Sequence, residues 1–226
     1  MLADNIASVR KRIAAAAERS GRDASGIKLV AVSKTHPVAS LREAIDAGAL
    51  ALGENKVQEA EEKITSLGRT AAEWHLIGHL QSNKARKAVQ LFDVIQSVDS
   101  IDLAERLERI CAEEGREKLS VLVQVDLADE PTKSGIAANE LGQVVAAARG
   151  YRHLSLDGLM LLPPFFEDPE GARPYFSRLR EIRDHLLPGG ELSMGMTHDF
   201  EVAIEEGATI VRVGTAIFGQ REYGAA

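Results

Sequence analysis

Residues 27–34 read Ile-Lys-Leu-Val-Ala-Val-Ser-Lys, and a helical pattern led by a proline follows them over residues 37–47. A short, nearly continuous apolar run is typical of a strand that is buried on both faces, as in a parallel sheet. Pro37 suits the first turn of a helix, where its missing N–H costs nothing. This stretch therefore predicts one strand-then-helix unit, with Lys34 at the carboxyl end of the strand.

The same unit recurs along the chain after an opening amphipathic helix at residues 5–20. We predict eight strands, at residues 27–34, 49–54, 74–78, 94–98, 120–127, 155–162, 191–196 and 209–214. We predict helices at residues 37–47, 57–67, 83–90, 101–114, 139–149, 172–187 and 199–206. This alternation indicates the α/β class and a single (β/α)8 TIM barrel with an extra N-terminal helix. A doubly wound open sheet is the alternative, disfavoured because no Gly-x-Gly-x-x-Gly motif follows the first strand.

The composition fits one domain over residues 1–226. The chain has 45% hydrophobic residues, and no Pro-, Gly- or Ser-rich linker divides it. The net charge of −7, with a single basic cluster at residues 84–87, argues against a nucleic-acid-binding protein. The N-terminus shows neither a signal peptide nor a membrane span, and the lone Cys111 excludes an intramolecular disulfide. We expect a cytoplasmic protein that binds neither nucleic acid nor membranes.

Lys34 is the most informative single residue, because the active sites of TIM barrels lie at the carboxyl ends of the strands. An ammonium group taken out of water has a lowered pKa, and the resulting free amine can condense with an aldehyde to give a Schiff base. The alternative for an isolated strand-end lysine is a side chain that reaches back to solvent.

Two further segments of the predicted barrel suit a phosphate group. Residues 193–199 read Ser-Met-Gly-Met-Thr-His-Asp, and residues 211–215 read Val-Arg-Val-Gly-Thr. Hydroxyls, glycines and unpaired N–H groups at a helix start bind anions, and the loops after strands seven and eight of a TIM barrel often hold a phosphate. A phosphorylated aldehyde would satisfy this cradle and Lys34 together.

Other polar residues keep two interpretations each. Arg212 shares a strand face with Gly214 and needs a buried acceptor, either a carboxylate in a structural pair or a ligand atom. Asn55, which follows Glu54, either orients a ligand or caps the next helix. The run Pro-Pro-Phe-Phe at residues 163–166 either stiffens a loop or roofs a pocket.

The histidines give weaker signals. His75 and His79 are four residues apart, which suits a metal on a helix but not on the predicted strand, so we expect no metal. His198 and Asp199 are adjacent in the manner of an acid/base pair, yet a favourable charge at a helix start explains Asp199.

Six motifs closely resemble one known family when they are taken together. They read Ala-Val-Ser-Lys at residues 31–34, Gly-Glu-Asn at 53–55 with Gln-Glu at 58–59, Trp-His-Leu-Ile-Gly-His-Leu-Gln-Ser-Asn-Lys at 74–84, Asp-Gly-Leu-Met at 157–160, Ser-Met-Gly-Met at 193–196 and Arg-Val-Gly-Thr-Ala-Ile-Phe-Gly at 212–219. In this order and spacing they resemble the pyridoxal phosphate homeostasis family over nearly the whole chain.

The resemblance implies a barrel similar to the N-terminal domain of alanine racemase, with pyridoxal 5′-phosphate (PLP) held as a Schiff base on Lys34. It also implies cofactor-binding residues: Thr197, Gly214 and Thr215 at the phosphate, Ser193 and Met196 close by, Asn55 beside the ring and Arg212 facing the pyridine nitrogen. Two positions depart from the family pattern. Thr197 stands in place of the usual serine, and Asp126, which could pair with Lys133 near Glu130, stands in place of the usual asparagine.

A fixed cation against the pyridine nitrogen disfavours its protonation and makes the ring a poorer electron sink. We therefore expect a monomeric, non-catalytic carrier that buffers PLP and delivers it to apo-enzymes. Related racemases use a further domain for a second base, and we expect none here. The alternative is a racemase-like PLP enzyme, for which His79, His198 and Tyr223 are the candidate second acid/bases. A barrel aldolase using Lys34 on a sugar phosphate would leave the full motif set unexplained.

Overall fold

The computed structural model describes residues 1–128 and 134–220. Its strands are β1 (Lys28–Val32), β2 (Ala51–Glu54), β3 (Glu73–Leu76), β4 (Val94–Val98), β5 (Leu119–Asp126), β6 (Ile136–Ala137), β7 (Leu154–Leu161), β8 (Glu191–Met196) and β9 (Ile210–Val213). Its helices are α1 (Leu2–Arg19), α2 (Val38–Asp46), α3 (Val57–Leu67), α4 (Ala85–Leu91), α5 (Ile101–Glu113), α6 (Leu141–Ala148), α7 (Arg173–Leu186), α8 (Phe200–Glu205) and α9 (Thr215–Phe218).

Strand pairing closes the sheet into a barrel. β1 pairs with β2 and β9, and β4 pairs with β3 and β5, so the ring runs β1, β2, β3, β4, β5, β7, β8, β9 and back to β1, with every pair parallel. The predicted (β/α)8 barrel is confirmed, and the open doubly wound sheet is wrong. The two-residue strand β6 pairs with the end of β5 and is not part of the ring.

An apolar layer fills the barrel interior. Successive side chains of a strand point to opposite faces, so every second residue points inward. The inward residues that form one buried cluster are Val30, Ala51, Val94, Leu122, Met160 and Ile210. A second, larger cluster packs the outward strand residues against the helices. The ends of the barrel are thus the places where polar chemistry is expected.

Helix α1 confirms the predicted extra N-terminal helix and covers the β8–β9 side of the barrel. Its buried stripe includes Ile6, Val9 and Ile13, and it packs against α8 and α9. The Asn5 side chain donates to the carbonyl of Ile217 at 2.8 Å, which ties α1 to α9. Among the described residues we find no helix that is both long and apolar enough to cross a membrane.

The structure changes three details of the predicted elements. β1 ends at Val32, so Lys34 lies in a loop rather than in a strand over residues 27–34. The short strand β6 and the one-turn helix α9 were not predicted, because two to four residues carry too little periodicity to be recognised. Cys111 is buried in α5, and burial raises the pKa of its thiol to about 11, which is typical of a packing residue.

Candidate cofactor site

The register of four neighbouring strands brings most of the predicted site residues to one end of the barrel. Met196 of β8 pairs with Arg212 of β9, and Ala31 of β1 pairs with Val213 of β9. Val32 pairs with Gly53 of β2, so the loop carrying Lys34 lies beside the one that carries Asn55. The carboxyl ends of β8, β9, β1 and β2 thus form one continuous edge.

Helix α9 begins where the phosphate cradle was predicted. Gly214 occupies the N-cap position and Thr215 the first helical position. The Ala216 N–H donates to Thr197 Oγ1 at 3.5 Å, a long contact that joins the β8 and β9 loops. A Cβ at Gly214 would lie 3.4 Å from the carbonyl oxygen of Val32, so this loop also reaches β1. The first N–H groups of a helix have no acceptor within the helix, so they can donate hydrogen bonds to an anion.

The turn after β8 depends on a glycine. Gly195 has φ +90°, and a Cβ there would lie 2.6 Å from Ala203 Cβ. Asp199 is buried and accepts from the Met196 N–H at 2.7 Å. Its carboxylate therefore fixes the turn, while Met196 itself is 39% exposed at the mouth of the barrel.

Arg212 is 3% exposed and is held by neutral oxygens. Its Nη1 donates to Ser193 Oγ at 2.5 Å, and its Nη2 donates to the Leu161 carbonyl at 2.8 Å. Burial lowers the pKa of Arg212 to about 10, against the attraction of Asp199. Within residues 1–128 and 134–220 no carboxylate lies at salt-bridge distance from the guanidinium, so the structural pair weighed from the sequence finds no partner.

A polar chain continues from Arg212 through the barrel interior, and we call it the Arg212 relay (Arg212, Ser193, Gln96, His75 and Glu73). Because Ser193 Oγ accepts from Arg212, its own O–H donates to Gln96 Oε1 at 2.6 Å. The Gln96 amide nitrogen then faces His75 Nδ1 at 2.8 Å, which makes Nδ1 the acceptor and leaves the proton on Nε2. His75 Nε2 lies 3.2 Å from Glu73 Oε2, near enough for attraction although the angle is poor for a hydrogen bond.

The relay gives Ser193 a different place from the one expected. Its hydroxyl is committed to Arg212 and Gln96 inside the barrel, one layer below the helix start that offers phosphate donors. The sequence analysis missed Gln96, although a glutamine inside the apolar run of β4 was an available signal.

Lys34 is half-buried in a tight turn formed by residues 33–36, which we call the Lys34 turn. The His36 N–H donates to the Ser33 carbonyl at 3.1 Å and closes the turn. Thr35 has φ +67°, and among the described residues it is the one non-glycine residue in this region. The His36 ring stacks on Phe218 of α9, with centroids 4.8 Å apart. The turn that carries the lysine is thereby joined to the predicted phosphate helix.

Asn55 is half-buried and does not cap α3, since that helix has Lys56 at its N-cap position and no side-chain cap. A Cβ at Gly78 would lie 2.3 Å from the Asn55 carbonyl oxygen, so only glycine lets the loop after β3 approach so closely. Ser97 Oγ holds the Gly78 carbonyl at 2.7 Å. The capping interpretation is wrong, and Asn55 remains available to a ligand.

The remaining candidates lie apart from this arrangement. His79 is exposed and contacts Asp99 at 3.0 Å, and in the described parts of the chain we find no cluster of three metal-ligating side chains. His198 is exposed and contacts the Glu167 carbonyl at 3.0 Å and the Phe165 ring. The loop at residues 163–166 lines a cavity of about 150 Å³ with Met196, His198 and Asp199.

Three residues considered from the sequence, Glu130, Lys133 and Tyr223, fall outside the described residues. Asp126 accepts from the Ala128 N–H at 2.9 Å, which gives its carboxylate a local turn-forming contact.

Comparison with known proteins agrees with this geometry. Residues 5–222 match the family described as alanine racemase, N-terminal domain, and the chain belongs to it. Within that fold it belongs to the pyridoxal phosphate homeostasis proteins. It is 44% identical to the pyridoxal phosphate homeostasis protein of Pseudomonas aeruginosa, over 99% of this chain and 97% of that protein. It is 41% identical to the one of Aquifex aeolicus, over 97% of this chain and 98% of that protein. The solved structure of PipY from Synechococcus elongatus with PLP bound is 39% identical, covers 97% of this chain and 100% of its own, and gives a TM-score of 0.84.

Proposed function

We propose that this chain binds PLP reversibly through Lys34 and acts in PLP homeostasis as a carrier and buffer. The observation that carries the proposal is Arg212, a cation buried against neutral oxygens at the strand end beside the Lys34 turn. A buried cation that has no carboxylate at salt-bridge distance among the described residues is costly for the empty protein, and an electron-rich ligand atom would offset that cost.

The residues at the barrel end fit the three parts of PLP. The N-terminus of α9, with Thr215 and Thr197, offers N–H and hydroxyl groups to the phosphate, and Arg212 offers N–H groups to the pyridine nitrogen. Asn55 is placed to contact the ring. When bound, the cofactor supplies an aldehyde that condenses with the Lys34 amine and releases one water molecule. The PLP-bound PipY structure supports this assignment of the cofactor.

Arg212 also bears on the choice between carrier and enzyme. Its guanidinium donates a hydrogen bond to the lone pair of the ring nitrogen, cannot accept one from a protonated ring nitrogen, and carries a positive charge that disfavours protonation there. Such a ring stabilises a neighbouring carbanion poorly. The relatives named pyridoxal phosphate homeostasis proteins support the carrier. His79 contacts Asp99 and His198 contacts the Glu167 carbonyl, so neither ring is placed as the second acid/base that an enzyme would need.

A spectroscopic experiment tests the proposal directly. Purified protein is mixed with PLP, its visible absorbance is recorded, and borohydride is added before peptide mass mapping. We expect a yellow band and a reduced adduct on Lys34, with neither in Lys34→Ala and both in the control Lys56→Ala, which removes an exposed lysine that directly follows Asn55 in the chain. An adduct on another lysine, or none, contradicts the assignment. Racemisation or decarboxylation of amino acids at about 1 per second or faster would favour the enzyme instead.

The wider setting belongs to the same proposal. We place the protein in the cytoplasm as a monomer that hands PLP to apo-enzymes. The support is a composition with a net charge of −7 and a cofactor site made within one chain. Sedimentation of the PLP-loaded protein, alone and with an apo-transaminase, tests the oligomeric state and the transfer together.

A further inference from the structure

We propose that Glu54, Glu59 and Lys63 form a buried clamp that positions Lys34, holding its main chain in the conformation needed for covalent attachment of PLP. None of the three contacts the reacting atoms in this assignment, so each is a positioning residue. The inference rests on the proposed function and extends it to residues behind the site.

The clamp grips both neighbours of Lys34. Lys63 Nζ donates to the Ser33 carbonyl, to Glu54 Oε1 and to Glu59 Oε1, each at 2.7 Å. Glu59 Oε1 also accepts from the Thr35 N–H at 2.5 Å. Residues 33 and 35 are therefore fixed from the same ammonium group, one directly and one through Glu59.

Glu54 completes the arrangement from the end of β2. It is fully buried, and its Oε1 accepts from Ser33 Oγ at 2.6 Å. Burial raises the pKa of Glu54 against the attraction of Lys63, and its Oε2 has no partner. Burial also opposes ionisation of Glu59, yet hydrogen bonds from Lys63 and Thr35 lower its pKa. Of the two carboxyl groups in the clamp, Glu59 is therefore the one whose charged form is favoured.

The clamp holds a turn that would not be stable alone. Thr35 has φ +67°, a region that β-branched residues adopt rarely and at a cost in free energy. The bonds to Ser33 and Thr35 act on the two sides of the peptide that carries Lys34, so they offset this cost where it arises. Without these bonds the turn would relax, and the main chain from which the Lys34 side chain extends would no longer be held in one position.

Lys63 is not itself the reacting amine. An ammonium group has three N–H donors, and Lys63 uses all three on Ser33, Glu54 and Glu59. A nitrogen that makes all three of these bonds, two of them to carboxyl groups, has no position left from which to attack an aldehyde. The clamp therefore occupies one lysine of this region and holds the other in place.

The test separates attachment from simple binding. PLP and pyridoxine 5′-phosphate share the ring and the phosphate, but the second carries an alcohol in place of the aldehyde and cannot condense with an amine. The rate of adduct formation on Lys34 is measured by borohydride quenching and mass spectrometry. Affinity for pyridoxine 5′-phosphate is measured by calorimetry on the same samples.

Glu59→Ala is the main variant, because Glu59 is partly exposed and an alanine suits helix α3. We expect adduct formation to slow about 10- to 100-fold, since small displacements of a reacting group have effects of that size. Affinity for pyridoxine 5′-phosphate should change less than about twofold. Glu59→Gln keeps an acceptor for the Thr35 N–H and should recover most of the rate.

Two further variants complete the design. The paired variant Glu54→Gln with Lys63→Met removes both buried charges together and should slow the adduct at least as much as Glu59→Ala. Lys87→Met in α4, an exposed lysine that pairs with Glu61 of α3, is the matched control and should match the parent protein.

The outcomes are distinguishable. Parent-like adduct rates in folded Glu59→Ala overturn the clamp. A loss of affinity for pyridoxine 5′-phosphate as large as the loss in adduct rate also overturns it, because it would show a general structural role. If the unaltered protein forms no adduct on Lys34, the proposed function fails first, independently of the clamp.

Discussion

On the β1–β2 side of the site, Lys63 is buried between two carboxylates, whereas on the β8–β9 side Arg212 is buried against a hydroxyl and a carbonyl. Lys63 lies in α3 and contacts Glu54 at the end of β2, and Arg212 lies one residue before the end of β9. The first is hydrogen-bonded to two carboxyl groups, and the second, which we call the unbalanced cation, has only the more distant attraction of Asp199. The comparison indicates a division of labour, in which the balanced charge fixes a loop and the unbalanced charge is kept for a ligand.

Removing the balanced cation, Lys63, without removing its partners is the strongest test of this comparison. Lys63→Met leaves Glu54 fully buried without a counter-charge and should lower the free energy of unfolding by about 3–5 kcal/mol. Urea unfolding of the cofactor-free protein measures this. The exposed control Lys87→Met should cost at most about 1 kcal/mol. A cost for Lys63→Met as small as that of the control would show that the clamp charges are not coupled.

The barrel and the edge that carries the candidate site could be predicted from the sequence because they follow from repeated, local signals. Buried strands show continuous apolar runs, and a parallel barrel places every strand end at one edge. The strand-end rule places Lys34, Asn55, Thr197, Gly214 and Thr215 at that edge, and their contacts with the cofactor stay a prediction. The stripe of apolar residues along α1 likewise predicts a helix that packs on the barrel.

The clamp was missed because it depends on contacts between residues distant in the chain. Lys63 shares the buried stripe of α3 with Val57, Ala60 and Ile64, and a lysine on such a stripe was the available signal. The positive φ of Thr35 cannot be predicted from the sequence, because threonine usually avoids this conformation. Both features become visible only when β1, β2 and α3 are placed together.

The Arg212 relay can be examined at its far end through pH. Contacts with His75 and Lys28, partly opposed by burial, lower the pKa of Glu73 to about 2. Since the pKa is lower in the folded state, this carboxylate adds stability above its ordinary pKa of 4.5, and that stability is lost as the pH falls towards 2. The side chain is 37% exposed, so we expect only about 1 kcal/mol after solvent screening.

Unfolding free energies at pH 5.5 and pH 3 measure this contribution. Because pH 3 still lies above the folded pKa, the parent protein should lose a little over half of this contribution, about 0.6 kcal/mol, more over this interval than Glu73→Gln. Glu181→Gln, which removes a carboxylate from an exposed pair with Arg178, serves as control and should follow the parent protein. Parallel curves for the parent and Glu73→Gln would exclude Glu73 as the charged end of the relay.

The unbalanced cation should show the smallest effect on the empty protein. Arg212→Met removes a buried charge together with its hydrogen bonds to Ser193 and Leu161, and Ser193 keeps its bond to Gln96. The relief of desolvation and the lost hydrogen bonds oppose each other, so the free energy of unfolding should change by less than about 1 kcal/mol. Added PLP should then stabilise the parent protein more than the variant, since a ligand raises stability according to its affinity for the folded state. A loss in the empty protein as large as that of Lys63→Met would mean that Arg212 is balanced within the fold after all, and that its charge is not reserved for the ring nitrogen.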